Sequence, residues 1–155
     1  MTKDVLVSVK GTQYMDGEND TMEVITPGVF YEKNGKYYIL YDETVMETAE
    51  AVTHNMVKVG PETVEVFKKG IVESRMKFEC GKKHTANYMT PMGLIVLGLT
   101  TSFLDVETGE NTIHVRINYT LEMNGEYISG CSLELSACSK KEGALRLKQR
   151  ERNEQ

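Results

Sequence analysis

The histidines and cysteines are the residues of this chain best suited to catalysis or metal binding. His54, His84 and His114 are its only imidazoles, and no two of them lie within five residues of each other. The short ligand spacings typical of metal sites are therefore missing. The sequence predicts no metal and no other cofactor.

Nucleophilic catalysis requires a Ser, Cys or Thr beside a base, and the sequence contains no Gly-x-Ser-x-Gly motif. Cys80 is followed by Lys82, Lys83 and His84, and positive neighbours lower the pKa of a thiol. A small residue that closes a strand before a turn is nevertheless the simpler interpretation of Cys80. Likewise, His84 begins a strand after a turn, which is typical of a solvated histidine. An enzyme is the least favoured hypothesis.

Tyrosine and methionine are the side chains that favour ligand binding. The chain has eight Tyr and nine Met residues. Tyr41 alternates with Ile39, and Tyr119 alternates with Ile117 and Leu121, so both tyrosines share otherwise apolar strand faces. A buried tyrosine hydroxyl needs a hydrogen-bond partner, and methionine provides flexible surface for irregular ligands. These residues either fill a core or line a cavity.

The elements that must position these residues are strands. Every odd residue in 113–123 is apolar, every even one is polar, and Asn124-Gly125 follows. A period of two is the strand period, and Asn-Gly favours a tight type I′ hairpin turn. Similar patterns recur along the chain. They predict about ten strands: 4–15, 21–32, 36–41, about 50–59, 63–68, 71–80, 84–90, 94–99 and a hairpin over 113–138.

Three segments need a separate interpretation. Pro27-Gly28 predicts an interruption with a bulge or bend in the second strand. Residues 42–52 contain a possible capping box, Thr44-x-x-Glu47, but we interpret them as a loop that enters a strand. Residues 94–99 are apolar throughout, which predicts a strand buried on both sides.

Short antiparallel strands expose unpaired edges unless the sheet closes on itself. The nearly unbroken meander therefore predicts an all-β fold: a single closed antiparallel up-and-down β-barrel of about eight to ten strands. A barrel of this size has room for side chains and one small ligand. The barrel domain is predicted over residues 1–138, with a basic C-terminal tail over 139–155.

Charge and hydropathy limit which partners and which cellular location are expected. The tail holds six of the 18 basic residues, and the whole chain carries a net charge of −5, so the barrel itself is acidic. An acidic body makes nucleic acid an unlikely partner. No apolar run is long enough for a membrane span, and residues 1–15 alternate like a strand rather than a signal peptide. We expect a cytoplasmic protein.

The chain also resembles a known family. The resemblance rests on a diffuse pattern of glycines, tyrosines and apolar positions that includes Gly28, residues 38–43, Gly70, Phe78, Gly81, Tyr88, Gly93, Leu97, Thr101 and Tyr119. On these residues, the chain is similar to a YwiB-like bacterial family of lipocalin-like, or calycin, β-barrel proteins with no assigned activity. The resemblance implies a closed barrel and no particular chemistry. The Gly-x-Trp motif of secreted lipocalins is absent, because the chain has no tryptophan.

These observations leave two leading hypotheses. The first is a barrel that binds a small, mostly apolar ligand in its interior without catalysis. The second is a solid-cored interaction module that docks a protein or RNA partner through its surface or basic tail. For the first hypothesis, polar groups near the cavity are predicted at Tyr41, Glu43, His84, Tyr88, Thr101 and Tyr119.

Overall fold

Ten antiparallel strands form one closed barrel in the computed structural model, which describes residues 3–44 and 52–139. Each strand pairs with the next one along the chain, and β1 closes the barrel against β10. The predicted up-and-down barrel is thus confirmed. The strands are β1 (Lys3–Met15), β2 (Glu18–Lys33), β3 (Lys36–Thr44), β4 (Val52–Val59), β5 (Thr63–Lys69), β6 (Glu73–Glu79), β7 (Lys83–Thr90), β8 (Gly93–Thr108), β9 (Thr112–Met123) and β10 (Glu126–Ser139).

Tight turns join several of these strands, as their sequences predict. Asn124 and Gly125 have φ angles of 51° and 81°, and Asn34 and Gly35 have φ angles of 54° and 76°. Two successive positive φ angles define a type I′ turn, whose twist matches that of the flanking strands. Asn and Gly tolerate this region better than other residues, which explains why the hairpins reverse at these points.

Alternate residues of each strand face the lumen and form the core. In β1, for example, Val5, Val7 and Val9 are buried while Asp4 and Lys10 are exposed. Burying a Val, Leu, Ile or Phe side chain contributes about 1.5–3 kcal/mol, so this inner face is the main source of stability. The largest fully buried apolar side chains are Phe78, Ile39, Leu99, Ile117, Val7, Val57, Val59, Val64 and Val115.

The expected interruption of β2 at Pro27-Gly28 is wrong, because β2 pairs with β1 without a register shift through both residues. The register between β2 and β3 begins at Gly28 and Tyr41. A Cβ atom on Gly28 would lie 2.6 Å from the Leu40 carbonyl oxygen and 2.6 Å from a Val7 methyl carbon. Glycine is therefore required here for close packing of two strands and the core, not for a bulge.

The expectation that residues 94–99 are buried on both sides is also wrong. Leu94, Ile95 and Val96 are 56%, 41% and 46% exposed. The reason is the stagger of the strands, since β8 pairs with β7 from Gly93 onward but its register with β9 begins only at Gly98. The first residues of β8 therefore extend past the end of β9.

The lumen has two halves of different character. Toward the end that holds the β2–β3, β4–β5, β6–β7 and β8–β9 turns, the buried side chains are apolar; we call this the apolar half, and its central residues are Ile39, Val57, Val59, Val64 and Phe78. Toward the opposite end lies the polar half, with Glu43, Asn55, Lys68, Ser74 and Tyr88.

Two further expectations fall outside the described residues. The possible helix start at Thr44-x-x-Glu47 extends into residues 45–51, and the basic tail predicted over 139–155 lies, apart from Ser139 at the end of β10, in residues 140–155. Strand β4 begins at Val52, which is close to the predicted start. Within the described residues, the structure contains no helix that could cross a membrane.

Candidate functional site

The candidate site is a cavity of about 260 Å³ in the polar half of the lumen. It lies beside the β5–β6 turn and is lined by residues of five neighbouring strands, β3 to β7. Its size suits a small fragment-sized molecule, because it lies just below the usual range of ligand pockets, about 300–1,000 Å³. The lining residues are Glu43, Val52, Thr53, Lys68, Ile71, Val72, Ser74 and Tyr88.

Strand periodicity places the charged residues of this cavity on the inner face. Glu43 follows Ile39 and Tyr41 at intervals of two in β3, and both of these are buried. Lys68 follows Val64 and Val66 in β5 in the same way. Because side chains alternate between the two faces of a strand, Glu43 and Lys68 share the face that carries the core.

Glu43 and Lys68 form an ion pair that leaves hydrogen-bonding capacity unused. The Lys68 Nζ atom lies 3.6 Å from Glu43 Oε1, which is an ionic contact and too long for a strong hydrogen bond. Glu43 Oε1 is buried and has no hydrogen-bond partner among the described residues. A buried acceptor without a partner costs about 1–3 kcal/mol, so a molecule that donates a hydrogen bond here would be stabilised.

Asn55 presents a second unused acceptor next to this pair. It is buried, and its neighbours in the barrel register are Tyr41 in β3 and Lys68 in β5. Its Nδ2 atom donates to the Thr53 carbonyl oxygen over 3.2 Å, whereas its Oδ1 atom has no partner among the described residues. The polar half therefore contains two buried carbonyl-type acceptors on adjacent strands.

Three tyrosines border the polar half, and burial keeps all of them protonated. Burial raises the pKa of Tyr41, and the Glu43 charge raises it further. Burial likewise raises the pKa of Tyr88, whose hydroxyl donates to Met76 Sδ over 3.5 Å. The pKa of Tyr119 is raised by burial and then by Cys131 and Tyr88. These hydroxyls are therefore donors over the whole physiological pH range.

A line of hydrogen bonds leads from Tyr119 toward β1. Cys131 lies opposite Tyr119 in the register of β9 and β10. The Cys131 thiol lies 3.6 Å from Ser129 Oγ, and this hydroxyl accepts a hydrogen bond from Gln13 Nε2 over 3.1 Å. Tyr119 also packs edge-on against Phe78, with ring centroids 4.9 Å apart. Tyr119 thus lies at the boundary between the polar and apolar halves.

The six predicted site residues all occupy inward positions, but they do not form one group. Glu43 and Tyr88 line the cavity; Tyr41 is an electrostatic neighbour of Glu43, and Tyr119 is one of Tyr88. Thr101 lies opposite Tyr119 in the register of β8 and β9; it is fully buried, and its Oγ1 atom has no partner among the described residues.

His84 lies apart from the cavity, at the start of β7. It is half-buried beside the β6–β7 turn, and its Nε2 atom lies 3.2 Å from Glu79 Oε1. The Glu79 carboxylate is the acceptor of this contact and also pairs with Lys82 over 3.1 Å. His84 occupies an inward position near the β6–β7 turn, but it does not line the cavity.

Sequence reasoning did not identify Lys68, Asn55 and Ser74 as site residues. Ser74 alternates with Met76 and Phe78, and Asn55 with Val57 and Val59, so their inward direction is visible in the strand period. Their function as lumen residues was missed because a polar residue at the end of an apolar alternation resembles the edge of a core. Only the register of β4, β5 and β6 brings the three together.

The residues that the sequence suggests for catalysis do not line this cavity. Cys80 is exposed, its Sγ atom donates to the Ser102 carbonyl oxygen over 3.7 Å, and neither it nor His84 lines the cavity. His54 pairs with Asp42 over 2.7 Å on the outer surface. In the part of the chain that the structure describes, no group of three or more His, Cys, Asp or Glu side chains is placed to hold a metal ion.

The described residues also form depressions elsewhere on the barrel. One of about 230 Å³ lies at the opposite end of the lumen, where the β8–β9 turn meets β1, β2 and β3. Another of about 520 Å³ is a groove on the barrel wall that includes Leu40, Met56 and Phe67. The buried carboxylate oxygen of Glu43, which has an ionic contact but no hydrogen bond, distinguishes the polar half, because a buried acceptor without a hydrogen bond indicates a place for a ligand.

Comparison with known proteins relates the chain to one family. A family model described as "Domain of unknown function (DUF1934)" matches residues 7–135. The chain is 26% identical over 122 residues to the "Uncharacterized beta-barrel protein YwiB" of Bacillus subtilis (strain 168), an alignment that covers 79% of this chain and 84% of that protein.

The crystal structure of the ywiB protein from Bacillus subtilis is similar in fold. It superposes with a TM-score of 0.78 at 22% sequence identity, covering 89% of this chain and 92% of that chain. At this identity the likeness concerns the fold alone. Because the family model spans most of the sequence, this β-barrel protein belongs to the DUF1934 family.

Proposed function

We propose that this barrel binds a small, mostly apolar molecule with one hydrogen-bond-donating group in the polar half of its lumen, without catalysis. The observation that carries the proposal is the buried Glu43 Oε1 atom, which lines the cavity and has no hydrogen-bond partner among the described residues. An acceptor in this state is stabilised when a ligand donates to it.

The lining supports this chemical class. Val52, Ile71 and Val72 supply apolar surface on one side of the cavity, and Glu43 with Lys68 supplies a charge pair on the other. Because the pair is close to neutral overall, it favours a hydroxyl or amine donor more than a second carboxylate, which would repel Glu43. An apolar ring or short chain with one amine or hydroxyl fits both sides.

Aminoanthracene, a fluorescent apolar amine, is a suitable probe for this site. We expect its fluorescence to rise on titration with the protein, because the ring leaves water. Glu43→Gln should weaken binding by about tenfold, because a neutral amide oxygen accepts a weaker hydrogen bond than a carboxylate. Tyr88→Phe keeps the ring and removes a hydroxyl that already donates to Met76 Sδ, so it should bind the probe almost unchanged. Native mass spectrometry of freshly purified protein should also detect a bound small molecule.

The matched controls are Glu65→Gln and Tyr127→Phe, which alter an outer-surface carboxylate and an exposed tyrosine. Both should bind the probe like the original protein. No fluorescence change with any variant, together with no bound mass and no thermal shift across a library of lipids and metabolites, would refute the proposal.

A further inference from the structure

The first five residues of β8, Gly93–Leu97, have an edge that no other strand of the described chain covers. On one side they pair with β7, from Gly93 with Thr90 to Leu97 with Ala86. On the other side the register with β9 begins only at Gly98. The backbone N–H and C=O groups that point to this side are therefore available to another strand, and such an edge is a template for strand addition.

A second stretch of strand extends past its neighbour in β2, but its sequence discourages strand addition. The register between β2 and β3 begins at Gly28, and the part of β2 before it contains Glu18, Asp20, Glu23 and Pro27. Charged side chains and proline are the usual means by which proteins protect sheet edges. The Gly93–Leu97 edge has no charged residue and no proline, although Leu94, Ile95 and Val96 are exposed.

We propose that the Gly93–Leu97 edge pairs antiparallel with the same edge of a second copy of this chain, around a two-fold axis at Ile95. An antiparallel pair of identical edges requires one residue to face itself, because residues directly opposite must point to the same face of the sheet. Ile95 is the middle residue of the uncovered stretch. This register places Leu94 of one copy opposite Val96 of the other.

The composition of the edge makes this pairing self-complementary. Every cross-strand pair in the register is apolar, so no like charges meet. Each copy carries a net charge of −5, so the two copies repel each other. This repulsion acts only at a distance from the edge, because the edge itself is uncharged. Added salt screens the repulsion, so the dimer should become tighter as ionic strength rises.

Two matched isoleucine substitutions test the edge. Ile95 is 41% exposed on the β8 edge, and Ile25 is 39% exposed in the extended part of β2. In sedimentation equilibrium over a concentration series, the full chain should dimerise. Ile95→Lys should weaken the dimer by roughly tenfold or more, because it places like charges opposite each other, whereas Ile25→Lys should leave it unchanged.

Crosslinking tests the register independently of affinity. In a Cys80→Ser background, which removes the exposed thiol, Ile95→Cys should form a disulfide between two copies when oxidised glutathione accepts the two electrons. Directly opposite residues have Cα atoms about 4.5–5.5 Å apart, which suits a disulfide. Ile25→Cys is the control and should remain uncrosslinked.

The outcomes are decisive in both directions. Dimerisation that Ile95→Lys alone disrupts, with crosslinking at Ile95 alone, supports the proposal. A monomer at all concentrations, a dimer that tolerates Ile95→Lys, or equal crosslinking at Ile25 would overturn it. Circular dichroism of each variant checks that the barrel has folded.

Discussion

The two halves of the lumen are lined by the same strands but by opposite kinds of side chain. In β5 the inner face runs from Val64 and Val66 to Lys68, and in β6 it runs from Phe78 and Met76 to Ser74. The register aligns these changes, since Val66 lies opposite Met76 and Lys68 opposite Ser74.

The same change occurs in the two preceding strands. Ile39 is followed by Tyr41 and Glu43 on the inner face of β3, and Val57 is preceded by Asn55 in β4. Four neighbouring strands thus become polar at the same level of the barrel. The difference indicates a division along the barrel axis: the apolar half holds the fold together, and the polar half, where we propose that a ligand binds, retains buried acceptors that cost stability.

The largest effect is expected in the apolar half, at Phe78. This side chain is fully buried and packs against Tyr119. Phe78→Ala should lower the free energy of unfolding by about 3–5 kcal/mol, because it removes apolar burial and leaves a cavity. Urea denaturation measures the change. Phe103→Ala is the control at an exposed position, where a loss as large as that at Phe78 would show that burial does not explain the difference.

A smaller loss of stability is expected from Gly28→Ala. The new methyl group would meet the Leu40 carbonyl oxygen and a Val7 methyl at 2.6 Å each, so backbone must shift. Overpacking of this kind costs about 1–3 kcal/mol in the free energy of unfolding. Gly11→Ala in β1 has no atom within 4 Å of the new Cβ and should instead stabilise the fold by about 0.4–1 kcal/mol. Equal thermal stability of the two variants would contradict this account.

Glu43→Gln in the polar half should affect binding more than stability. The ion pair with Lys68 is partly solvated and lacks a hydrogen bond, so its loss should change the free energy of unfolding by no more than about 1 kcal/mol. Binding of aminoanthracene should nevertheless weaken by about tenfold. Chemical denaturation and fluorescence titration of the same preparation separate the two effects. A large stability loss would place Glu43 among the structural residues instead.

The smallest effect is expected at Glu79, outside the lumen cavity, and concerns the pH dependence of stability. Hydrogen bonds from Lys82 and then His84 lower the pKa of Glu79 below its ordinary value of 4.5. A lowered pKa means that the contribution of Glu79 is present above pH 4.5 and is lost as the pH falls through the lowered value. In Glu79→Gln, the melting temperature should therefore fall less steeply with decreasing pH in the acid range. An unchanged slope in this range would show that other carboxylates determine it.

Local patterns predicted the barrel because turns and strand faces are local properties. Asn34-Gly35 and Asn124-Gly125 determine where hairpins reverse, and alternation in β9 identifies its inner face. The two errors, at Pro27-Gly28 and at residues 94–99, depend on how far neighbouring strands overlap. Strand stagger is a property of the closed sheet, so the sequence of one strand does not reveal it.

The candidate site could be predicted only in part, because it also depends on how neighbouring strands are aligned. Tyr41, Tyr88 and Tyr119 were visible as tyrosines in strands of apolar alternation, and the structure places them at inward positions. Lys68 and Asn55 became recognisable only when the register placed them next to each other. The ligand-binding role of all these residues remains our proposal.

A crystal structure of the protein grown with aminoanthracene would test the central claim most directly. We predict density for the ring between Ile71 and Val72 on one side and Tyr88 on the other, with the amine donating to Glu43 Oε1. Density for ordered water alone in the polar half, or a probe bound only in the outer groove near Leu40 and Phe67, would contradict the claim.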